Sequence, residues 1–187
     1  MRFLHLADVH LGNQQYNIPR RFDDFGRAFL RAVDLAIERQ VDVCIIAGDL
    51  FHKAAVDPNT LLQAEAGLSR LNGSGIKVIG VHGNHDNVRY RVQISWLDYL
   101  ADRGLLYLLT PNFDRSPLQL DPWDDAHRWG SYLDVDRTRF IGVPWLGASA
   151  PRVLAEVADA WDQLDWRGIR FTVLVTHAGV EGQMPHL

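Results

Sequence analysis

The sequence Val43-Cys44-Ile45-Ile46-Ala47-Gly48-Asp49-Leu50-Phe51-His52 is an apolar run that ends at a glycine and is followed by a carboxylate. A continuous apolar run of this length is typical of a strand that is buried on both faces of a parallel sheet. The glycine predicts the end of the strand, and open α/β sheets bind their ligands beyond the carboxyl ends of their strands. We therefore interpret Asp49 as the centre of a metal site.

The same pattern occurs at three other places in the chain. The further apolar segments are Phe3 to Ala7, Val78 to Val81 and Phe171 to Thr176, and the residues that follow them are Asp8 and His10, Asn84 and His85, and His177. The strands of a parallel sheet that point in one direction end at the same edge of the sheet. The sequence therefore predicts one parallel sheet in which four strand ends carry metal-ligand residue types.

Helical patterns alternate with these apolar segments. Apolar residues recur at helical spacing in segments 22–37, 61–71, 94–100 and 153–164. Asp57-Pro58 is typical of a helix N-cap followed by proline in the first turn. The resulting βαβαβα order predicts an α/β fold with right-handed crossovers, and segment 105–147 is expected to add strands whose pairing the sequence does not specify. A length of 187 residues predicts one domain.

Composition limits the classes of protein that fit this chain. Hydrophobic residues make up 47% and charged residues 22%, which is typical of a globular protein and excludes a largely disordered one. The sequence contains no apolar stretch of about 20 residues, and the first strand begins at Phe3, which leaves no room for a leader peptide before it. We therefore expect a cytoplasmic protein without a membrane span. The single cysteine, Cys44, is predicted to be a buried thiol. A net charge of −4 gives no basic field for nucleic acid, although bound divalent ions would offset acidic ligands.

The residue types at the four strand ends predict a two-ion centre. Mixed Asp, Asn and His ligands suit manganese, iron or zinc better than calcium, and manganese is our first choice. A carboxylate can contact two cations, so Asp49 is predicted to bridge ions about 3.5–4 Å apart, a separation suited to in-line displacement at phosphorus. The predicted ligands are Asp8, His10 and Asp49 for one ion, and Asp49, Asn84 and His177 for the other. Such a pair would lower the pKa of a bridging water and screen the charge of a phosphate.

Five further residues are given roles near this centre. His85 is predicted to be a catalytic proton donor or charge stabiliser near the leaving oxygen, and His52 is predicted to act on the substrate side. Arg20 and Arg89 are candidates for phosphate contacts. Asp86 is expected to cap a turn or support the ligands, whereas His5 and His82 are expected to lie outside the site.

Four motifs together resemble the signature of the calcineurin-like metallophosphoesterases: Asp8-x-His10, Gly48-Asp49-x(2)-His52, Gly83-Asn84-His85-Asp86 and Thr176-His177-Ala178-Gly179. Their extended forms most resemble the SbcD-type DNA double-strand-break repair nucleases. The resemblance implies a four-layer α/β/β/α sandwich, a dimanganese site, exonuclease and endonuclease cleavage of DNA, and an SbcC-like ATPase partner. It also implies the metal ligands named above and a catalytic His85. A homodimer is kept open.

The chain departs from the family pattern in one respect. Members of the family close their site with a later Gly-His-x-His motif, which supplies two more ligands and which this sequence does not contain. We therefore expect residues 1–187 to be a nuclease domain that is truncated at its C-terminal end. Two alternatives to DNA cleavage stay open: a metallophosphoesterase acting on small phosphoesters or nucleotides, and a catalytically incomplete binding scaffold.

Overall fold

The first sheet of the fold consists of four parallel strands. A computed structural model of the chain describes residues 1–86 and 94–179. The strands of this sheet, in spatial order, are β1 (Phe3–Leu6), β2 (Val43–Ala47), β3 (Lys77–Val81) and β4 (Tyr107–Leu108). Leu6 is in register with Ile46, which in turn is in register with Gly80, so the first three strands end at nearly the same level.

Three helices cover one face of this sheet: α1 (Pro19–Glu38), α2 (Pro58–Gly73) and α3 (Trp96–Asp102). The side chain of Asp57 accepts hydrogen bonds from the backbone nitrogens of Asn59 and Thr60, which gives α2 the predicted N-cap. Phe29 and Val33 of α1 and Leu68 and Leu71 of α2 are buried, and they pack in one cluster with Cys44. Cys44 is fully buried, which confirms the prediction of a buried thiol, and burial raises the pKa of this thiol to about 12.

The second sheet contains three strands and packs on the opposite face of the first. Strand β5 (Tyr132–Val135) is antiparallel to β6 (Thr138–Val143), and β7 (Phe171–Thr176) is parallel to β6. Helix α4 (Ala150–Trp161) covers the outer face of this sheet, where its apolar residues pack against Ile141 and Val143.

A separate apolar cluster joins the two sheets. Val43, Ile45 and Ala47 of β2 contact this cluster, whereas the alternating residues Cys44 and Ile46 belong to the cluster beneath the helices. The second sheet contributes a short set of buried residues to the shared layer: Val135, Phe140 and Val175. Three apolar layers therefore separate four structural layers, and the predicted α/β/β/α sandwich is confirmed.

The prediction that all four ligand-bearing strands share one parallel sheet is wrong. Strand β7 pairs with β6 in the second sheet, although it also contacts β2 and β3 across the layer between the sheets. An apolar run and a ligand at its end predict a strand and its direction, but they do not specify its neighbour. The neighbour of β7 is β6, which lies in segment 105–147 together with β4 and β5.

Two smaller predictions about helices are also corrected. Ile94 is exposed because α3 begins only after Ser95, whose side chain forms a capping box with Asp98. The apolar pattern of segment 61–71 also placed Leu62 on the buried side of α2, but Leu62 is exposed, whereas Thr60 and Ala64 are buried. Within the described residues, no helix combines the length and the apolar character needed to cross a membrane.

Candidate metal centre

The loops that follow β1 and β2 continue the pairing of the two strands and bring their first polar residues together. The backbone nitrogen of Asp8 donates to the Gly48 carbonyl over 3.3 Å, and that of His10 donates to the Asp49 carbonyl over 3.0 Å. Asp8, His10 and Asp49 all adopt left-handed backbone conformations, with φ values of 54°, 50° and 54°. Aspartate and histidine tolerate this conformation better than most residues. The paired loops therefore hold Asp8 and His10 beside Asp49.

Asp49 lies between the two predicted ligand groups, and it is only 2% exposed. Its Oδ1 accepts a hydrogen bond of 2.9 Å from the backbone nitrogen of His85. Its Oδ2 lies 3.6 Å from Nε2 of His177, 3.8 Å from Nε2 of His10 and 4.0 Å from Nε2 of His85. These separations exceed hydrogen-bond distances, so the oxygen faces three imidazoles without being bonded to any of them.

The first predicted ligand group is assembled in the structure. One donor atom from each of Asp8, His10 and Asp49 lies within 4.8 Å of the others, and Nε2 of His10 is 3.6 Å from Oδ1 of Asp8. The side chain of Asp8 is 62% exposed, so this side of the group is open to solvent. Two carboxylates and one imidazole form a donor set that suits a borderline divalent ion such as manganese or zinc.

The second predicted ligand group spans both sheets. His177, directly after β7, places its Nε2 3.2 Å from Oδ1 of Asn84. Its Nδ1 donates to the Ala47 carbonyl over 2.8 Å, which leaves a lone pair on Nε2, as is usual for a metal-bound histidine. Gly48 permits this close approach, because a Cβ atom at that position would lie 2.6 Å from the His177 ring.

Asp86 fixes the backbone around the site. Its Oδ2 accepts hydrogen bonds from the backbone nitrogens of Asp49 (2.7 Å) and Gly83 (3.0 Å), and its Oδ1 accepts one from Phe51 (3.1 Å). Burial raises the pKa of the Asp86 carboxyl, although the bonds from Gly83 and Phe51 act in the opposite direction. Asp86 was expected to cap a turn or support the ligands, and these hydrogen bonds connect it to the backbone of both loops.

The two histidines with predicted catalytic roles lie next to the first ligand group. Nδ1 of His85 is 2.7 Å from the His52 carbonyl and donates to it, so the ring is held in place and its Nε2 remains available. Burial, together with the neighbouring His10 and His85, lowers the pKa of His52, which favours a neutral imidazole. The His52 and His85 rings are 5.5 Å apart at their centroids.

The histidines that were excluded from the site lie apart from these groups. His82 places its Nε2 2.8 Å from the Ser95 hydroxyl, which connects it to the start of α3. His5 is exposed on the edge strand β1.

The arginines predicted to bind phosphate gain no support from the structure. Arg20 is exposed in the first turn of α1, and no contact between described residues connects it to the ligands. Arg89 lies outside the described residues.

Sequence reasoning missed a cleft of about 670 Å³ next to His52. The cleft is lined by the amide side chains of Asn13, Gln14 and Gln15, and by Tyr16 and Lys53. The signal for this cleft in the sequence is the run of amide side chains at residues 13–15, between β1 and α1.

A four-layer sandwich with Asp, Asn and His side chains collected at its strand ends is the architecture of a metallophosphoesterase. The family model for calcineurin-like phosphoesterases matches residues 1–183, and the chain belongs to this family. The family and the donor set together indicate a site for divalent metal ions.

Several relatives share a more specific name. The chain is 42% identical over 145 residues to the DNA double-strand break repair protein Mre11 of Archaeoglobus fulgidus, a match that covers 76% of this chain and 32% of the relative. It is 31% identical to the protein of the same name from Aeropyrum pernix, over 98% of this chain and 43% of the relative. The corresponding protein of Methanopyrus kandleri is 30% identical over 99% of this chain and 39% of the relative. The chain therefore spans less than half the length of these relatives.

Proposed function

We propose that this chain hydrolyses phosphodiester bonds of DNA with two divalent metal ions, and that it does so in DNA repair. The observation that carries the proposal is the position of Asp49 Oδ2, which lies within 4 Å of imidazoles from both predicted ligand groups. A single buried carboxylate between two groups of ligands is what a two-ion hydrolytic site requires. The names of the relatives, which are DNA double-strand break repair proteins, support DNA as the substrate.

The donor atoms fit two ions that share Asp49. Asp8 and His10 would complete the first site, and Asn84 and His177 would complete the second. A set that mixes carboxylate, amide and imidazole donors suits manganese, iron or zinc, and manganese is our first choice. When bound, such a pair supplies positive charge for the phosphate and activates a water molecule for attack at phosphorus.

The side chains around the ligands have separate tasks. Because Nδ1 of His85 is tied to the His52 carbonyl, the protonated ring would donate from Nε2 to the leaving oxygen. His52, whose pKa is lowered, would act as a neutral hydrogen-bonding group on the substrate side. Asp86 would keep the loops of both ligand groups in place through its three backbone hydrogen bonds.

Substrate contacts beyond the reacting phosphate belong to the same proposal. Arg20 and Arg89 are the candidates from the sequence, and Lys53 beside the cleft is a further cation close to His52. An SbcC-like ATPase partner remains a prediction that follows from the resemblance to SbcD-type nucleases. A cytoplasmic location, which was expected from the sequence pattern, is also a prediction, and a homodimer is kept open.

The test compares substrates and counts ions in the same preparation. Manganese-loaded protein should degrade linear duplex DNA, and His127→Gln, which changes an exposed histidine paired with Asp124, should be equally active. Hydrolysis of small phosphoesters without DNA degradation would overturn DNA as the substrate. Failure to hydrolyse either substrate, with fewer than two ions bound, would show the binding scaffold instead.

A further inference from the structure

We propose that His10, His52 and His85 form a second metal-binding arrangement, a three-histidine site for a zinc ion that competes with the carboxylate-containing groups. This arrangement shares His10 with the first ligand group but uses no carboxylate. Neutral imidazoles suit zinc, whereas manganese prefers sites that include carboxylate oxygens. The triad therefore favours a different ion from the one expected beside Asp49.

The spacing of the three rings fits a tetrahedral zinc site. Their centroids are 5.3 Å (His10 and His52), 4.9 Å (His10 and His85) and 5.5 Å (His52 and His85) apart. Three imidazoles bound to one zinc ion at Zn–N distances of about 2.0–2.1 Å with tetrahedral angles have centroids about 5 Å apart. One nitrogen from each ring lies within 4.8 Å of the others. Rotation of the side chains, including the His52 and His85 rings that now lie at 19° to each other, would bring these nitrogens to a common ion.

The hydrogen bonding of the rings also suits metal binding. The Nδ1 of His85 is tied to the His52 carbonyl, which leaves a lone pair on Nε2 when the ring is neutral. Among the residues that the structure describes, Nδ1 of His10 and Nδ1 of His52 are enclosed and have no hydrogen-bond partner. Because these atoms have no partner, no hydrogen bond to Nδ1 holds either ring in its present orientation. An enclosed polar atom without a partner is also unfavourable, so a rotation that gives it one is favoured.

Zinc in this arrangement would oppose the proposed hydrolysis. It would take His10 away from the first ligand group and would occupy His85 and His52, the two histidines proposed to act on the substrate. The triad would thus make the site sensitive to zinc at a position that overlaps the first ion site through His10. This consequence rests on the proposed function, whereas zinc binding itself does not.

The test removes the carboxylates and measures zinc alone. The double variant Asp8→Asn and Asp49→Asn keeps residue types that tolerate a positive φ, and the amide introduced at position 49 retains an oxygen to accept the His85 hydrogen bond. This variant should still bind one zinc ion by calorimetry. Adding His52→Gln should weaken zinc binding about tenfold or more. Substituting a residue that only hydrogen-bonds to a metal ligand already lowers metal affinity by about 10–100-fold. Adding His127→Gln, at an exposed histidine, should change nothing.

X-ray absorption on the zinc-loaded double variant gives a second result that does not depend on the folding of the triple variant. Three imidazoles around zinc are expected, and two after His52→Gln. Equal zinc affinity in the His52→Gln and His127→Gln backgrounds, or fewer than three imidazoles in the double variant, would overturn the proposal. Because both measurements concern binding, a chain without hydrolytic activity would leave the result intact.

Discussion

Asp49 is the residue on which the two proposed ion sites depend. It is nearly inaccessible to solvent, and its Oδ1 is held by the backbone nitrogen of His85, so its Oδ2 has little freedom to move. Two of the three imidazoles that face Oδ2, those of His10 and His177, follow strands of different sheets. A substitution at Asp49 should therefore weaken the binding of both ions. A substitution at a ligand that belongs to one group should weaken the binding of one ion.

The first prediction separates these two cases. Asp49→Ala should lower the binding of both manganese ions and abolish hydrolysis, because it removes the only ligand assigned to both. Asp8 is an exposed residue of the first group. Asp8→Ala should therefore weaken the binding of one manganese ion and leave the binding of the other nearly unchanged. Manganese per chain, measured by equilibrium dialysis, distinguishes the two variants. Unchanged binding of two ions by Asp49→Ala would show that Asp49 is not a shared ligand.

The second prediction concerns His85. His85→Gln should reduce turnover by about 10²–10⁴-fold, because it removes a proton donor that acts in the transition state. Manganese binding and DNA affinity should be largely retained, since His85 is not assigned as a ligand of either ion. The measurement is kcat together with manganese occupancy. A loss of manganese in this variant would instead identify His85 as a ligand.

At the scale of elements, the site depends on the close contact between the loops after β2 and β3. Asp86, on the loop after β3, accepts hydrogen bonds from the backbone of both loops. Gly83 makes this contact possible, because a Cβ atom there would overlap both Oδ1 and the backbone nitrogen of Asp49. The glycine in the Gly-Asn-His-Asp motif is thus required for packing against the Asp49 carboxylate.

The third prediction follows from this contact. Gly83→Ala should displace Asp49, weaken manganese binding and lower the free energy of unfolding by about 1–3 kcal/mol, the usual cost of overpacking. Gly73→Ala is the matched control, since a Cβ atom at the end of α2 would meet nothing within 4 Å. Chemical denaturation and metal titration of both variants provide the comparison. Equal stability and equal metal affinity in the two variants would contradict the tight contact.

The strands and helices also show what local sequence predicts well. The cap at Asp57 and the apolar run of β2 depend on residues adjacent in sequence, and both were predicted. The neighbour of β7 depends on residues far away in the chain, and it was predicted incorrectly. Strand ends that carry ligands indicate a common site, but side chains from two packed sheets can meet as well as side chains from one sheet.

At the scale of the whole molecule, the layer between the two sheets positions the ligands relative to one another. Asp8, Asp49 and Asn84 follow strands of the first sheet, and His177 follows a strand of the second. The four-layer arrangement was available from the resemblance of the motifs and was not derivable from periodicity. The position of the ligands across the layer could not be predicted, because it results from the packing of Phe140 and its neighbours between the sheets.

The fourth prediction tests this dependence. Phe140 is fully buried between the sheets, so Phe140→Ala should lower the free energy of unfolding by about 3–5 kcal/mol. It should also weaken manganese binding at the proposed site of Asn84 and His177 more than at the proposed site of Asp8 and His10. Phe113→Ala is the control, because Phe113 is 44% exposed. Denaturant titration should show a large decrease in the free energy of unfolding for Phe140→Ala and a much smaller one for Phe113→Ala.

The central claim is that two ions share Asp49, and electron paramagnetic resonance of the manganese-loaded chain tests it most directly. Two manganese ions joined by one carboxylate are expected to give an exchange-coupled signal at two ions per chain, and Asp49→Ala should abolish the coupling. The separate signals of uncoupled ions, or saturation at a single ion per chain, would contradict the claim.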